Sequence, residues 1–185
     1  MNLKSKSLTV FKIGLILHLI PLLFLTACSS DDNNIEGNNN STNSFTFNGT
    51  SFSVANVFLN DENTTDNNPS DIAIIMSNIN LLTESQPNGV NYVYIDFQGV
   101  ELQTGTIVNN ISDYTILENA SFINSEIDNG DIILDDTVSG FTATNTTVNV
   151  NSISSSQINF DFSFTREDGQ IITGNYSGNY TDISK

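Results

Sequence analysis

Residues 158–180 read INFDFSFTREDGQIITGNYSGNY. Ile158, Phe160, Phe162 and Phe164 alternate with Asn159, Asp161, Ser163 and Thr165. Successive side chains of a strand point to opposite faces, so this pattern is a strand with one buried side. After Arg166-Glu167-Asp168-Gly169, the residues Ile172, Gly174, Tyr176 and Gly178 share a parity of their own. A two-residue loop at Asp168-Gly169 would set Thr173 and Asn175 against the phenylalanines and bury polar groups, which is costly. A three-residue loop, Glu167-Asp168-Gly169, instead pairs Arg166 with Gln170, Phe164 with Ile172, Phe162 with Gly174, Phe160 with Tyr176 and Ile158 with Gly178. Large residues then face glycine alternately, and an aromatic ring covers a strand glycine. Gly169 takes the left-handed position that closes such a loop.

The same logic holds at the other end. Residues 45–54 read FTFNGTSFSV, a hairpin with Asn48-Gly49 as a type I′ turn. Phe45 then pairs with Phe52 and Phe47 with Thr50, and Phe45, Phe47, Phe52 and Val54 share one face. Ile72–Leu82 and Val90–Phe97 are apolar at both parities, as befits central strands covered on both sides. Gln86-Pro87-Asn88-Gly89 reads as the turn between them. Thr147–Ile153 alternates Val148 and Val150 against Asn149 and Asn151. Residues 111–123 carry a helix-like spacing, but their density of Thr, Ser and Asn favours strand. A second Asn-Gly, at 129–130 between Ile127 and Ile132, reads as another turn. About ten short strands with regular turn signals predict an all-β, antiparallel β-sandwich. The alternative is a lipocalin-like or calycin-like barrel. No helix is expected outside the N-terminal segment.

That segment has its own logic. Lys4, Lys6 and Lys12 precede an apolar run from Ile13 to Leu25, then Thr26, Ala27 and Cys28. Positive end, short apolar core and small residues make a secretory signal. The uncharged stretch is too short for a membrane span, which needs about 20 residues. Leu25-Thr26-Ala27-Cys28 resembles the lipobox of bacterial lipoproteins. That resemblance implies cleavage before Cys28 and lipidation of this cysteine, the only one in the chain. Residues 1–27 are then the signal peptide. Residues 28–43 are a lipidated, acidic tether, since SSDDNNIEGNNNSTN cannot build a core, and residues 44–185 are one β domain. Cys28-Ser29-Ser30-Asp31-Asp32 resembles the export signal of Bacteroidota-type lipoproteins, which implies the outer face of the outer membrane; the alternative is its periplasmic face. With FTFNGTSFSV and the closing hairpin, the chain resembles small surface lipoproteins of Bacteroidota type. The likeness implies an all-β extracytoplasmic module and brings no ligand or active site with it.

Composition narrows function. Beyond residue 27 there are 21 acids against Arg166 and Lys185, a balance of 2 − 21 = −19. Such a chain does not neutralise phosphates, so nucleic acid is excluded as a partner. The membrane is reached through the lipid and not through charge. Beyond residue 28 there is no His and no Cys, and the single Lys is terminal. A triad lacks its imidazole, a cysteine nucleophile is absent and zinc lacks its usual ligands. No glycine-rich phosphate loop occurs. The expectation is a binding or interaction module of the cell envelope, for a glycan, peptide or protein, and not an enzyme. A structural envelope protein and a hydrolase working with two carboxylates are the alternatives. Tyr92 and Tyr94 are candidate contact aromatics, although sheet tyrosines are usually buried.

No cofactor is expected, with calcium as the one ion to weigh. Asp61–Asn68 fails the EF-hand pattern, because Asp66 stands where that loop needs Gly and Ile72 where it needs Glu. The other place is Glu126, Asp128 and Asp131. A two-residue turn at Asn129-Gly130 would set Asp128 opposite Asp131, and facing like charges are unfavourable unless a cation or water relieves them.

Overall fold

A computed structural model describes residues 43–62, 71–109, 111 and 113–184. The expected signal peptide and most of the tether lie outside these residues, as does most of the Asp61–Asn68 loop.

The described chain holds twelve strands: β1 (Ser44–Phe47), β2 (Thr50–Ser53), β3 (Asn56–Asp61), β4 (Ile72–Ser77), β5 (Val90–Phe97), β6 (Ile107–Asn109), β7 (Asp113–Ile123), β8 (Glu126–Asp135), β9 (Ala143–Ile153), β10 (Gln157–Arg166), β11 (Ile171–Asn179) and β12 (Thr181–Asp182). They form two sheets. The first runs β2-β1-β11-β10-β9-β6 and the second β12-β3-β4-β5-β7-β8. Every pairing is antiparallel except β12 with β3. Neither sheet closes on itself, so the fold is a sandwich and not a barrel. Among the described residues there is no helix.

The closing hairpin adopts the expected register. Phe164 faces Ile172, Phe162 faces Gly174, Phe160 faces Tyr176 and Ile158 faces Gly178. The Arg166 amide donates to Gln170 O at 2.8 Å, and Gly169 sits at φ +83. The first hairpin agrees too, with Phe45 opposite Phe52, their rings stacked 4.8 Å apart, and Asn48 and Gly49 both at positive φ. Residues 113–123 are strand. The inward residues of β10 meet Ile74, Met76, Val93, Ile95, Phe97 and Ile116 of the second sheet in one core.

Three local readings are corrected. The strand from Ile72 stops at Ser77 and does not reach Leu82. The Ser77 hydroxyl donates to Ile79 O, and the carbonyl of Asn80 accepts the amides of Thr83 and Glu84, turning the chain back over the sheet. Asn129-Gly130 is no turn. It lies inside β8, and the β7–β8 hairpin closes five residues earlier, at Asn124-Ser125, both with positive φ (53° and 66°). Asn-Gly is a turn signal only where the strands on either side can pair with each other. Here both flanks of Asn129-Gly130 pair with β7 instead. Finally Asn43, assigned to the tether on composition, is bound to β11 of the first sheet. Its side chain donates to Ser177 O at 3.2 Å and accepts the Ser177 amide at 2.8 Å.

Candidate functional site

A sandwich needs one apolar face per sheet. The first sheet obeys this: its outer face carries Thr173, Asn175, Ser163, Asp161, Thr147 and Asn149. There Asn149 and Asn151 both donate to the Asp161 carboxylate, at 3.3 and 3.0 Å. The second sheet does not. Its outer face holds a separate apolar cluster of Val90, Tyr92, Leu117, Ala120 and Phe122, with Ile75, Ile79, Leu81 and Tyr94 packed on it. The apolar residues at both parities in 72–82 and 90–97 are thereby accounted for. One parity fills the core and the other builds this second surface.

The segment from Asn78 to Gly89 covers part of it. Asn78 pins the base of the loop, donating to Gly89 O at 3.1 Å and accepting the Asn91 amide at 2.8 Å. The Leu82 amide donates to Asn80 Oδ1 at 3.0 Å, a side-chain-capped turn. Pro87 is buried, and its carbonyl accepts the Phe122 amide at 3.0 Å, which ties the loop to β7. Between loop and sheet an open pocket of about 200 Å³ remains, walled by Ile75, Leu81, Leu82, Pro87, Tyr92 and Phe122, with Glu84, Ser85 and Ser125 at its polar margin. Tyr92 and Phe122 meet edge to face, their centroids 5.4 Å apart at 64°. Burial first, and Asp113 second, push the Tyr92 hydroxyl up to about 12, so it stays a neutral phenol at any physiological pH. A dry apolar cavity of about 150 Å³ can hold one benzene-sized ring. This pocket has room for a single ring or one branched apolar side chain, with the Glu84 carboxylate and the Ser85 and Ser125 hydroxyls at its rim.

Tyr92 is buried in this pocket wall. Tyr94 is half-buried and donates to Asp96 Oδ2 at 3.2 Å. Glu126, Asp128 and Asp131 are exposed on β8. Because β8 runs straight through 129–130, Asp128 does not face Asp131, which pairs with Glu118 and accepts from Asn119 at 3.2 Å. The like-charge opposition that suggested calcium is therefore not formed. Among the described residues no group of three or more His, Cys, Asp or Glu side chains is placed to hold a metal ion.

A different opposition exists. Asp96 on β5 is the cross-strand partner of Asp113 on β7. Burial raises the pKa of both carboxyls, with Glu62 and Asp71 adding to the rise at Asp96, and Asp136, Asp96 and Asp135 to that at Asp113. Asp96 Oδ1 has no hydrogen-bond partner among the described residues, and the residue is only 7% exposed. Two carboxylates working on a glycan would both have to reach a polymer, and Asp96 cannot.

Neither a family model, nor a curated protein, nor a solved structure matches this chain.

Proposed function

We propose that this protein is a lipid-anchored, extracytoplasmic β-sandwich that acts by binding, and that its ligand site is the pocket under the 78–89 loop. The observation that carries this reading is the second apolar cluster on the outer face of the second sheet, left partly open. A purely structural module gains nothing from unfilled apolar space, since a void forfeits packing contacts. The size and lining suit one ring or branched apolar side chain presented by a glycan, a peptide or a partner protein. Anchoring rests on the lipobox-like Leu25–Cys28. Display on the outer face of the outer membrane rests on Asp31 and Asp32.

The test is a methyl- and aromatic-resolved NMR titration with single-ring probes: phenol, cyclohexanol and a methyl glucoside. Saturable shifts at Tyr92, Phe122 and Leu81, absent in Tyr92→Ala, are expected for at least one probe. Shifts scattered over the surface, or none from any probe, would remove the pocket as a ligand site.

A further inference from the structure

We infer that the free edge of β8, Glu126–Ile132, receives an extended basic segment of a partner protein as an added strand. Among the described residues the two sheets leave four edges, and three are short: β2 has four residues, β6 three and β12 two. Short edges are a standard protection against strand addition. β8 has ten residues and, among the described residues, a neighbouring strand on one side only. Its last residues are occupied, because Ile133 O accepts Arg166 Nη1 at 2.9 Å and the Asp135 amide donates to Phe141 O at 3.1 Å. Among the described residues, and apart from its ladder with β7, Glu126–Ile132 has no such bond to another segment; only the Gly130 amide is engaged, donating to the neighbouring Asn129 Oδ1 at 2.9 Å, a local bond that an incoming strand can displace.

Charge and shape select the occupant. Glu126, Asp128 and Asp131 are exposed along this edge, and the only Lys or Arg among the described residues, Arg166, is buried and paired with Asp168. A second copy laid antiparallel on β8 would set acids against acids, which is unfavourable. Acids also serve simply to keep edges unpaired, but Ile127 and Ile132 do not fit that role. They stand 45% and 36% exposed on either side of Gly130. Gly130 has no side chain because a Cβ there would lie 3.2 Å from both Cα and Cβ of Ala120. The result is a shallow depression of about 270 Å³ floored by Leu117 and Gly130. A strand that places an apolar residue over Gly130 and basic residues on either side satisfies backbone, charge and apolar surface together. This inference does not depend on the pocket under the 78–89 loop.

The probe is a short peptide alternating lysine and valine, added to the purified protein in phosphatidylcholine nanodiscs. Hydrogen exchange followed by mass spectrometry should slow in Glu126–Ile132. The same peptide with alternate backbone nitrogens methylated should bind about tenfold more weakly or not at all, because each lost ladder bond counts. Asp128→Lys with Asp131→Lys, both at exposed positions, should reverse the preference toward a glutamate–valine peptide, the fold being retained because the lysine introduced by the second substitution would face Glu118 across the strands. Equal binding of the methylated peptide would reduce the effect to charge alone and overturn the inference. Protection confined to any other strand would overturn it as well.

Discussion

The ring of Phe162 fills the space that a side chain at Gly174, its cross-strand partner, would need. A Cβ on Gly174 would overlap Cζ and Cε1 of that ring. Gly174→Val should therefore force the phenylalanine out of its packing among Phe160 and Phe164. Overpacking of this kind costs about 3 kcal/mol. Thr173→Val, one residue away on the exposed face, should be neutral within about 0.5 kcal/mol. Urea unfolding of both variants checks the pair, and a reversed order would break the assigned register.

Arg166 is held at the end of the core. Its guanidinium lies 4.8 Å from the centroid of Phe141 and 5.3 Å from that of Phe47, and it donates to Ile133 O and Asp168. The Asp168 side chain is 39% exposed, so water screens the ion pair and it adds little. The two rings and the buried carbonyl matter more. Arg166→Lys keeps the charge but loses the planar stack and the fork of donors. It should cost about 1–2 kcal/mol, whereas Asp168→Asn should change stability far less. Comparable losses in the two variants, measured by thermal unfolding, would make the ion pair the main contact.

Asp96 sets a pH dependence with a definite sign. A carboxyl whose folded pKa is raised holds its proton more tightly in the native state, so stability is gained as pH falls through that raised value toward the ordinary 3.8. Asp113 acts in the same direction. Asp168, held low by the Gln170 amide and then by Arg166, and Asp182, held low by Ser184, act oppositely, and their contribution is lost below 3.8. Stability should thus rise as pH falls from neutrality and turn down again only below 3.8, where Asp168 and Asp182 take up protons. Asp96→Asn keeps an acceptor for Tyr94 and removes the buried charge. It should raise stability at pH 7 by about 1 kcal/mol and flatten the rise toward acid. A variant less stable than the parent at pH 7 would show that the Asp96 charge is compensated.

Cys28→Ala should abolish incorporation of radiolabelled fatty acid and release the protein from membranes, since the acyl chains are the expected anchor. Added protease should remove the β domain from intact cells carrying the unaltered protein. Membrane retention of the Cys28→Ala variant would refute lipid anchoring. Complete protection of intact cells would place the domain on the periplasmic face.

Strand, turn and register were legible where one local signal had no competitor. Ile158–Phe164, the Glu167–Gly169 loop and Asn48-Gly49 specify their own partners, because the alternation has period two and a one-residue slip would bury Asn, Ser and Thr. The double-sided apolarity of Ile72–Ser77 and Val90–Phe97 likewise placed them at the centre of a sheet. What covers their outer face could not be read, because the pocket joins Leu81 and Leu82 to Phe122 across about 40 residues, and no periodicity encodes that meeting. The turn at Asn124-Ser125 escaped for a related reason. Asn129-Gly130 has the stronger local turn chemistry, yet it lies against the bulge at Asn119-Ala120, where a Cβ would come within 3.2 Å of Ala120. The opposition of Asp96 and Asp113 also arises only when β5 lies beside β7. Local chemistry therefore determined the sandwich and its two best hairpins. Which carboxylates face each other, which edge stays free and where apolar surface stays open were decided by the pairing of distant strands, whose energy lies in contacts that no single segment contains.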